Sequence, residues 1–363
     1  MTAAVSVGLA LSGGGFRATA FALGCLRALH DRGVLDEVTV VSGISGGSLA
    51  AALWAYGPDT FADFDAVTVD LLRSVMQLEM ARRAFTPVAA TRNLTAWSRS
   101  WLPQPVGARR TANRTDALRD TLTARVFGTK KLSEVTRPRL TTVLSATDLR
   151  TTNAVRFGSK VSSCSRYGRI VEDITVAEAV AASAAFPVLL PAIERTYTFT
   201  RTCHGETTNE RHDLSLTDGG VYDNLGLTVL EPRRSAAHTD HVYDLDYIIS
   251  CDAGTGAPRT ANGRIWPSRM KRSFDITYRK TQDASRGRLH EAARTGQLRG
   301  FVHSYLGMPD DRLPIPVAGL VPCTRVNAYK TNFKAMNPAD LDALTGRGEQ
   351  LTRALIAHYC PEL

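Results

Sequence analysis

Three short stretches carry residues that could do chemistry together. The first, "GISGG" at 43–47, places Ser45 in a G-x-S-x-G pattern. Small neighbours let the backbone turn sharply there and leave the serine Oγ exposed as a nucleophile. The second, "SGGGFRA" at 12–18, sets Gly13, Gly14 and Gly15 in a row, with Arg17 just behind. This run fails the G-x-G-x-x-G spacing of a dinucleotide site, and the G-x-x-x-x-G-K-[ST] of a nucleotide phosphate loop is absent. What remains is a series of backbone N–H donors beside Ser45, with added positive charge. Those are the parts of an oxyanion hole. The third, "LSLTDGG" at 214–220, ends a short predicted strand in Asp218, followed by Gly219 and Gly220.

A serine hydroxyl is a weak nucleophile until a base removes its proton. None of the eight histidines (His30, His204, His212, His238, His241, His290, His303, His358) stands at a glycine-flanked strand end. Asp218 does. Asp223 is a rival acid, but only Asp218 is followed directly by two glycines. A Ser-His-Asp arrangement using His238 or His241, both in a polar stretch that reads as surface loop, is the alternative within enzymes. Outside enzymes, the glycine loop could hold an anionic ligand with Ser45 idle.

The surrounding elements put these residues on one edge. "AVSVGLAL" at 4–11 reads as a buried strand. Residues 16–31 read as a helix, with Phe21, Cys25 and Leu29 along one apolar face and Gly33 as its stop. Residues 38–42 form a second β-branched strand, and a helix resumes to about Tyr56. Strand, helix, strand, helix with tight turns predicts a parallel sheet covered on both faces. Both glycine-rich turns then lie at the strand C-terminal ends, where such sheets bind ligands. "VAEAVAASAAFPVLLP" at 176–191 reads as a small-residue helix ended by Pro187, with Ser183 structural, and Asn224 is expected to fix the Asp218 loop.

The 363 residues are 44% hydrophobic and 22% charged, ordinary for a globular protein with a large core. One domain over 1–363 is expected: core motifs at 5–255, a basic insertion at about 82–115 and a helical extension at about 275–363. The six cysteines lack metal or disulfide spacing, and Cys25 and Cys251 read as buried thiols, which fits a reducing compartment. The apolar N-terminus lacks a basic flank, and no run approaches the roughly 18 apolar residues of a membrane span. A cytoplasmic protein able to touch a membrane surface is therefore expected. "TCHGETTNERHD" at 202–213 reads as a polar loop rather than a metal site.

Taken together, four blocks resemble the patatin-like phospholipase family: "SGGGFRA" at 12–18, "GISGGS" at 43–48, "ASAAFPVLLP" at 182–191 and "DGGVYDNLG" at 218–226. "SATDLRTTNAVRF" at 145–157 and the C-terminal "NPADLDALTGRGEQLTRALIAHY" are also similar to segments of that family. The resemblance implies a three-layer α/β/α fold with a mostly parallel central sheet. It implies a lipid acyl hydrolase that uses a serine–aspartate dyad without histidine, and neither metal nor cofactor. Carried over by motif, Ser45 is the nucleophile, Asp218 the base, and Gly13, Gly14 and Gly15 the oxyanion hole, assisted by Arg17. The implied substrate is a phospholipid or other fatty-acyl ester. Ser12 and Ala18 depart from the Asp and Gly that many members carry there, which leaves substrate preference more open.

The net charge of +9 favours anionic partners. Seven arginines and no acid lie between Arg82 and Thr115, with Trp97 and Trp101 among them. Between Ala253 and Phe274, again without an acid, Arg259, Arg264, Arg269, Lys271 and Arg272 accompany Trp266. Two readings stand. These are solvated loops with their tryptophans in the core, or they form a rim that docks on an anionic membrane. No nucleic-acid recognition module accompanies the charge.

Overall fold

Apolar or small residues fill every position of Val7–Leu11 (β1), and the strand is buried throughout. Such a strand needs cover on both faces, and the fold supplies it. The computed structural model describes residues 5–84, 114–187, 190–203, 206–256 and 266–363. Within them the strands continue as Val38–Gly43 (β2), Thr141–Asp148 (β3), Asn153–Gly158 (β4), Ser163–Cys164 (β5), Gly168–Ile170 (β6), Ile193–Cys203 (β7), Glu206–Asp218 (β8), Tyr247–Asp252 (β9) and Gly300–Tyr305 (β10). The helices are Gly15–Asp31 (α1), Gly46–Tyr56 (α2), Phe61–Arg73 (α3), Met76–Ala84 (α4), Arg114–Leu122 (α5), Val176–Ser183 (α6), Gly220–Asp223 (α7), Trp266–Arg294 (α8), Cys323–Asn327 (α9) and Pro338–Tyr359 (α10).

The strands form one mixed sheet in the order β10-β9-β1-β2-β3-β4-β5-β6-β7-β8. The half from β10 to β3 is parallel, as the β–α–β reading expects. Beyond β3 every pairing is antiparallel, and β8 folds back to pair with β3 as well. Leu9, Leu11, Ile249 and Cys251 pack on one face in a core shared with α1, α2, α6 and α10. Ala10 and Ile248 point the other way, into a smaller core closed by Leu225, Leu227 and the end of α8 at Leu289 and Ala292. The α/β three-layer architecture follows from this two-sided burial.

Three local expectations change. The polar stretch at 202–213 belongs to the β7–β8 ribbon, paired residue by residue from Ile193↔Leu216 to Cys203↔Glu206. Its outer half is exposed on both faces, so no alternation of apolar residues marks it as strand. For the same reason the strand before Asp218 is long rather than short. The helical extension begins at Trp266 instead of near 275. Most of the basic insertion, including Trp97 and Trp101, lies outside the described residues, as do Arg259 and Arg264.

Candidate active site

The backbone register explains how Ser45 and Asp218 meet across 172 intervening residues. β2 runs beside β3 only as far as Gly43↔Leu144. β8 takes over the same side of β3 two residues later, at Asp218↔Ala146. The turn after β2 and the end of β8 therefore face each other across one short gap. Ser45 occupies that turn at φ 53°, ψ −119°, a left-handed conformation that a serine adopts only when its surroundings enforce it. Gly46 and Gly47 enforce it by close approach: a Cβ on Gly46 would lie 2.0 Å from the carbonyl oxygen of Gly15.

Ser45 is held from behind by a hydroxyl relay. Its N–H donates to Ser183 Oγ at 3.0 Å, and Ser183 Oγ donates to the Ser145 carbonyl at 2.6 Å. Ser48 Oγ lies 2.7 Å from the same hydroxyl and supplies its second donor. Ser183 is structural, as its place in a small-residue helix suggests, but its specific task is to orient the Ser45 turn. No local pattern could reveal a bond spanning two distant segments.

Asp218 is 3% exposed and Ser45 7%. The carboxylate accepts the Gly220 N–H at 2.7 Å, and the Ser45 side chain stands close enough to act on it. Burial pushes its pKa up to about 6, and the Gly220 amide and the Ser45 hydroxyl oppose the shift. The main chain of Asp218 is fixed by Ala185 and by Thr147 Oγ1, each at 3.0 Å. Asp223, the rival acid, is spent on structure: it accepts the N–H groups of Leu225, Gly226 and Thr228.

The three glycines have three different tasks. Gly13 donates its N–H to the Asn224 carbonyl at 3.0 Å, so that donor is committed to tying the glycine loop to the Asp218 loop. Asn224 thus does fix this region, through its main chain. Gly14 and Gly15 turn at φ 146° and 57°, conformations open to glycine at little cost. Among the described residues no acceptor takes their N–H groups. They begin α1, where the unpaired amides and the helix dipole favour negative charge. Among the described residues, the unpaired donors of the loop are therefore those of Gly14 and Gly15, and Gly13 anchors it. Ser12, which departs from the family's usual Asp, accepts the Ala253 N–H through Oγ at 2.8 Å and so ties the loop to the end of β9.

Arg17 stands one turn into α1. Its Nε and one Nη donate to the carbonyls of Ala253 and Tyr329, both at 3.1 Å. Its other Nη lies 3.4 Å from where a Cβ on Gly14 would be, which brings the charge beside the glycine loop. The histidines stand elsewhere. His238 is exposed. His241, expected at the surface, is buried, with Ser163 Oγ and Tyr243 OH each 3.1 Å from its ring nitrogens. It is buried because this stretch folds back against Gly158 of β4 and Ser163 of β5.

Sequence reading missed α8 as part of this region. Tyr278, on α8, comes close enough to Asp218, Asp252 and Arg17 to feel their charges. With Thr277 and Thr281 it faces Gly220 and Asn224 across a cavity of about 60 Å³. Along the same helix Trp266, Met270 and Ile276 are exposed. No described helix is long and apolar enough to cross a membrane.

A mixed α/β sheet that delivers a serine turn, a glycine loop and an aspartate turn to one edge defines the class of protein. The model of the patatin-like phospholipase family matches residues 9–230, more than half of the chain, and the chain belongs to that family. Human GIVD cytosolic phospholipase A2 is similar in structure, with a TM-score of 0.54 and 15% identity, over 97% of this chain and 59% of that one. The same human enzyme in complex with methyl gamma-linolenyl fluorophosphonate and terbium chloride gives 0.51 and 15%, over 97% and 58%. This chain thus spans less than two thirds of those structures. At such identity the likeness concerns the fold. No curated protein sequence matches the chain.

Proposed function

We propose that the protein hydrolyses fatty-acyl esters of lipids through a Ser45–Asp218 dyad. The observation that carries this reading is the meeting of the Ser45 turn with the buried Asp218 carboxylate at the edge of β3, beside two amides that no described residue takes up. Asp218 takes the Oγ proton as Oγ bonds to the ester carbonyl carbon. The carbonyl electron pair moves onto oxygen, which Gly14 and Gly15 stabilise. The tetrahedral species collapses, the carbon–oxygen bond to the alcohol breaks, and Asp218 returns the proton to that leaving oxygen. Water then gives a proton to Asp218 and attacks the acyl-serine. Collapse frees the fatty acid and restores the Ser45 hydroxyl. Family membership supports a lipid substrate. A fatty-acyl fluorophosphonate tests the nucleophile: it is expected to label wild type at Ser45 and leave Ser45→Ala unlabelled. A wild-type protein that stays unlabelled would return the site to a ligand-binding role.

The membrane reading has one supporting observation among the described residues. Trp266, which the bland reading places in the core, is 72% exposed, with Met270 at 54% on the next turn. Arg269, Arg279 and Lys280 are exposed along the same helix. A tryptophan suits the lipid boundary, and each basic residue near an anionic surface adds about 1 kcal/mol. We expect co-sedimentation with anionic vesicles over neutral ones, weakened by salt. The Trp266→Ala/Met270→Ala variant should sediment less. Equal sedimentation of variant and wild type would leave α8 an ordinary solvated helix.

A further inference from the structure

In ester hydrolysis by the dyad, Asp218 returns a proton to the leaving oxygen and later takes one from water. Both must come within hydrogen-bond reach of its carboxylate, so the alcohol portion of a substrate lies on the Asp218 side of the site. A cavity opens on that side. Gly220 forms part of its wall, and Gly220 is laid against the carboxylate: its N–H donates to Asp218 Oδ1 at 2.7 Å, and a Cβ there would stand 2.9 Å from the same oxygen. The Asn224 carboxamide oxygen is packed against both Gly220 and Gly13, at each of which a Cβ would crowd it. Asn224 thus sits between the glycine loop and the Asp218 turn, and it too lines the cavity. The facing wall is α8, with Tyr278, Thr281 and Gln282. That helix lies beyond residues 9–230, so family membership does not supply this wall.

The space of about 60 Å³ admits more than one water-sized group. Among the described residues, no lysine, arginine, histidine, aspartate or glutamate lines it, so a charged headgroup finds no counter-ion there. Asn224 and Gln282 are half-buried, and among the described residues neither side-chain amide has a hydrogen-bond partner. Each offers a donor and an acceptor, the pair that a hydroxyl needs. Thr281 Oγ1 donates to the Thr277 carbonyl at 3.1 Å and keeps its lone pairs for an incoming donor.

We propose that this cavity receives the alcohol portion of the ester, and that Asn224 and Gln282 select an uncharged alcohol with free hydroxyls, such as the glycerol of a monoacylglycerol. The proposal rests on the hydrolase reading and names the alcohol class of its substrate. A site built to hydrogen-bond a hydroxyl rejects an analogue that lacks one, because its polar groups are then left unpaired.

The test compares kcat/KM on three esters of one fatty acid in the same neutral detergent: the 1-monoacylglycerol, the methyl ester and the lysophosphatidylcholine. Wild type, Gln282→Leu and Asn224→Ala are measured, and wild type is also treated with the fatty-acyl fluorophosphonate. Wild type should prefer the monoacylglycerol over each of the other two by about tenfold or more. In each variant the preference over the methyl ester should shrink by about fivefold, the worth of one neutral hydrogen bond. A wild type that labels at Ser45 and fails to prefer the monoacylglycerol overturns the proposal and leaves the nucleophile standing. So does an unchanged preference in both variants. A wild type that neither labels nor hydrolyses any of the three overturns both readings. If Asn224→Ala fails to fold, Gln282→Leu, on a helix outside the dyad, decides together with wild type.

Discussion

Ser45→Ala is expected to lose ester hydrolysis by on the order of 10⁶-fold in kcat, the scale seen when a serine hydrolase loses its nucleophile. The Ser45 side chain stands beside the Asp218 carboxyl and acts on it, and the turn that presents it is set by the packing of Gly46 and Gly47 rather than by the hydroxyl. Its N–H bond to Ser183 is a main-chain bond and survives the substitution. Alanine is no harder to place at φ 53° than serine, so the melting temperature should barely move. A chromogenic fatty-acyl ester gives the rate and circular dichroism the fold. Retention of more than a few per cent of wild-type activity would remove Ser45 from the nucleophile's role.

Asp218→Asn should lower kcat by about 10²–10⁴-fold, because an amide cannot take the serine proton. Burial raises the carboxyl from 3.8 to about 6, and two further consequences follow. Wild-type activity should fall as pH drops through about 6, since the base is then protonated. Stability moves with the opposite sign. The folded state holds this proton more tightly than the unfolded chain, so stability declines as pH rises from about 4 to about 6. Above that window the ionised, buried carboxylate costs about 3 kcal/mol at roughly 1.4 kcal/mol per pH unit. Asparagine removes the charge and keeps an oxygen for the Gly220 N–H. The variant should therefore melt higher than wild type at pH 8 and lose that advantage at pH 4. Near-normal hydrolysis by Asp218→Asn, with collapse in a His238→Ala/His241→Ala double variant, would transfer the base role to histidine.

The local signals that sequence could carry were those imposed by backbone geometry. A glycine run, a G-x-S-x-G turn between apolar strand and helix, and an Asp-Gly-Gly end are short-range patterns, because each answers a constraint within a few residues. They sufficed to name Ser45, Asp218 and the glycine loop, and to expect a layered α/β fold. Sequence periodicity also located α1, whose buried face is continuous, while α2 was read from the turn after β2 and α10 only from the family resemblance. The β7–β8 ribbon escaped because its outer half touches no core and so shows no apolar alternation.

Only the tertiary structure decided which donors of the loop are free. Gly13 is indistinguishable from Gly14 and Gly15 as a letter, yet its amide is taken by Asn224, a partner brought close by the β8 turn. The Ser183 relay and the packing of α8 beside the Asp218 turn likewise join segments far apart in the chain. His241 shows the same limit: a histidine in a polar stretch reads as surface, and only the folding of that stretch over β4 and β5 buries it. Local sequence fixes what each backbone segment can adopt. Which side chains share one desolvated space depends on how the sheet's strands are ordered, and no single segment encodes that order.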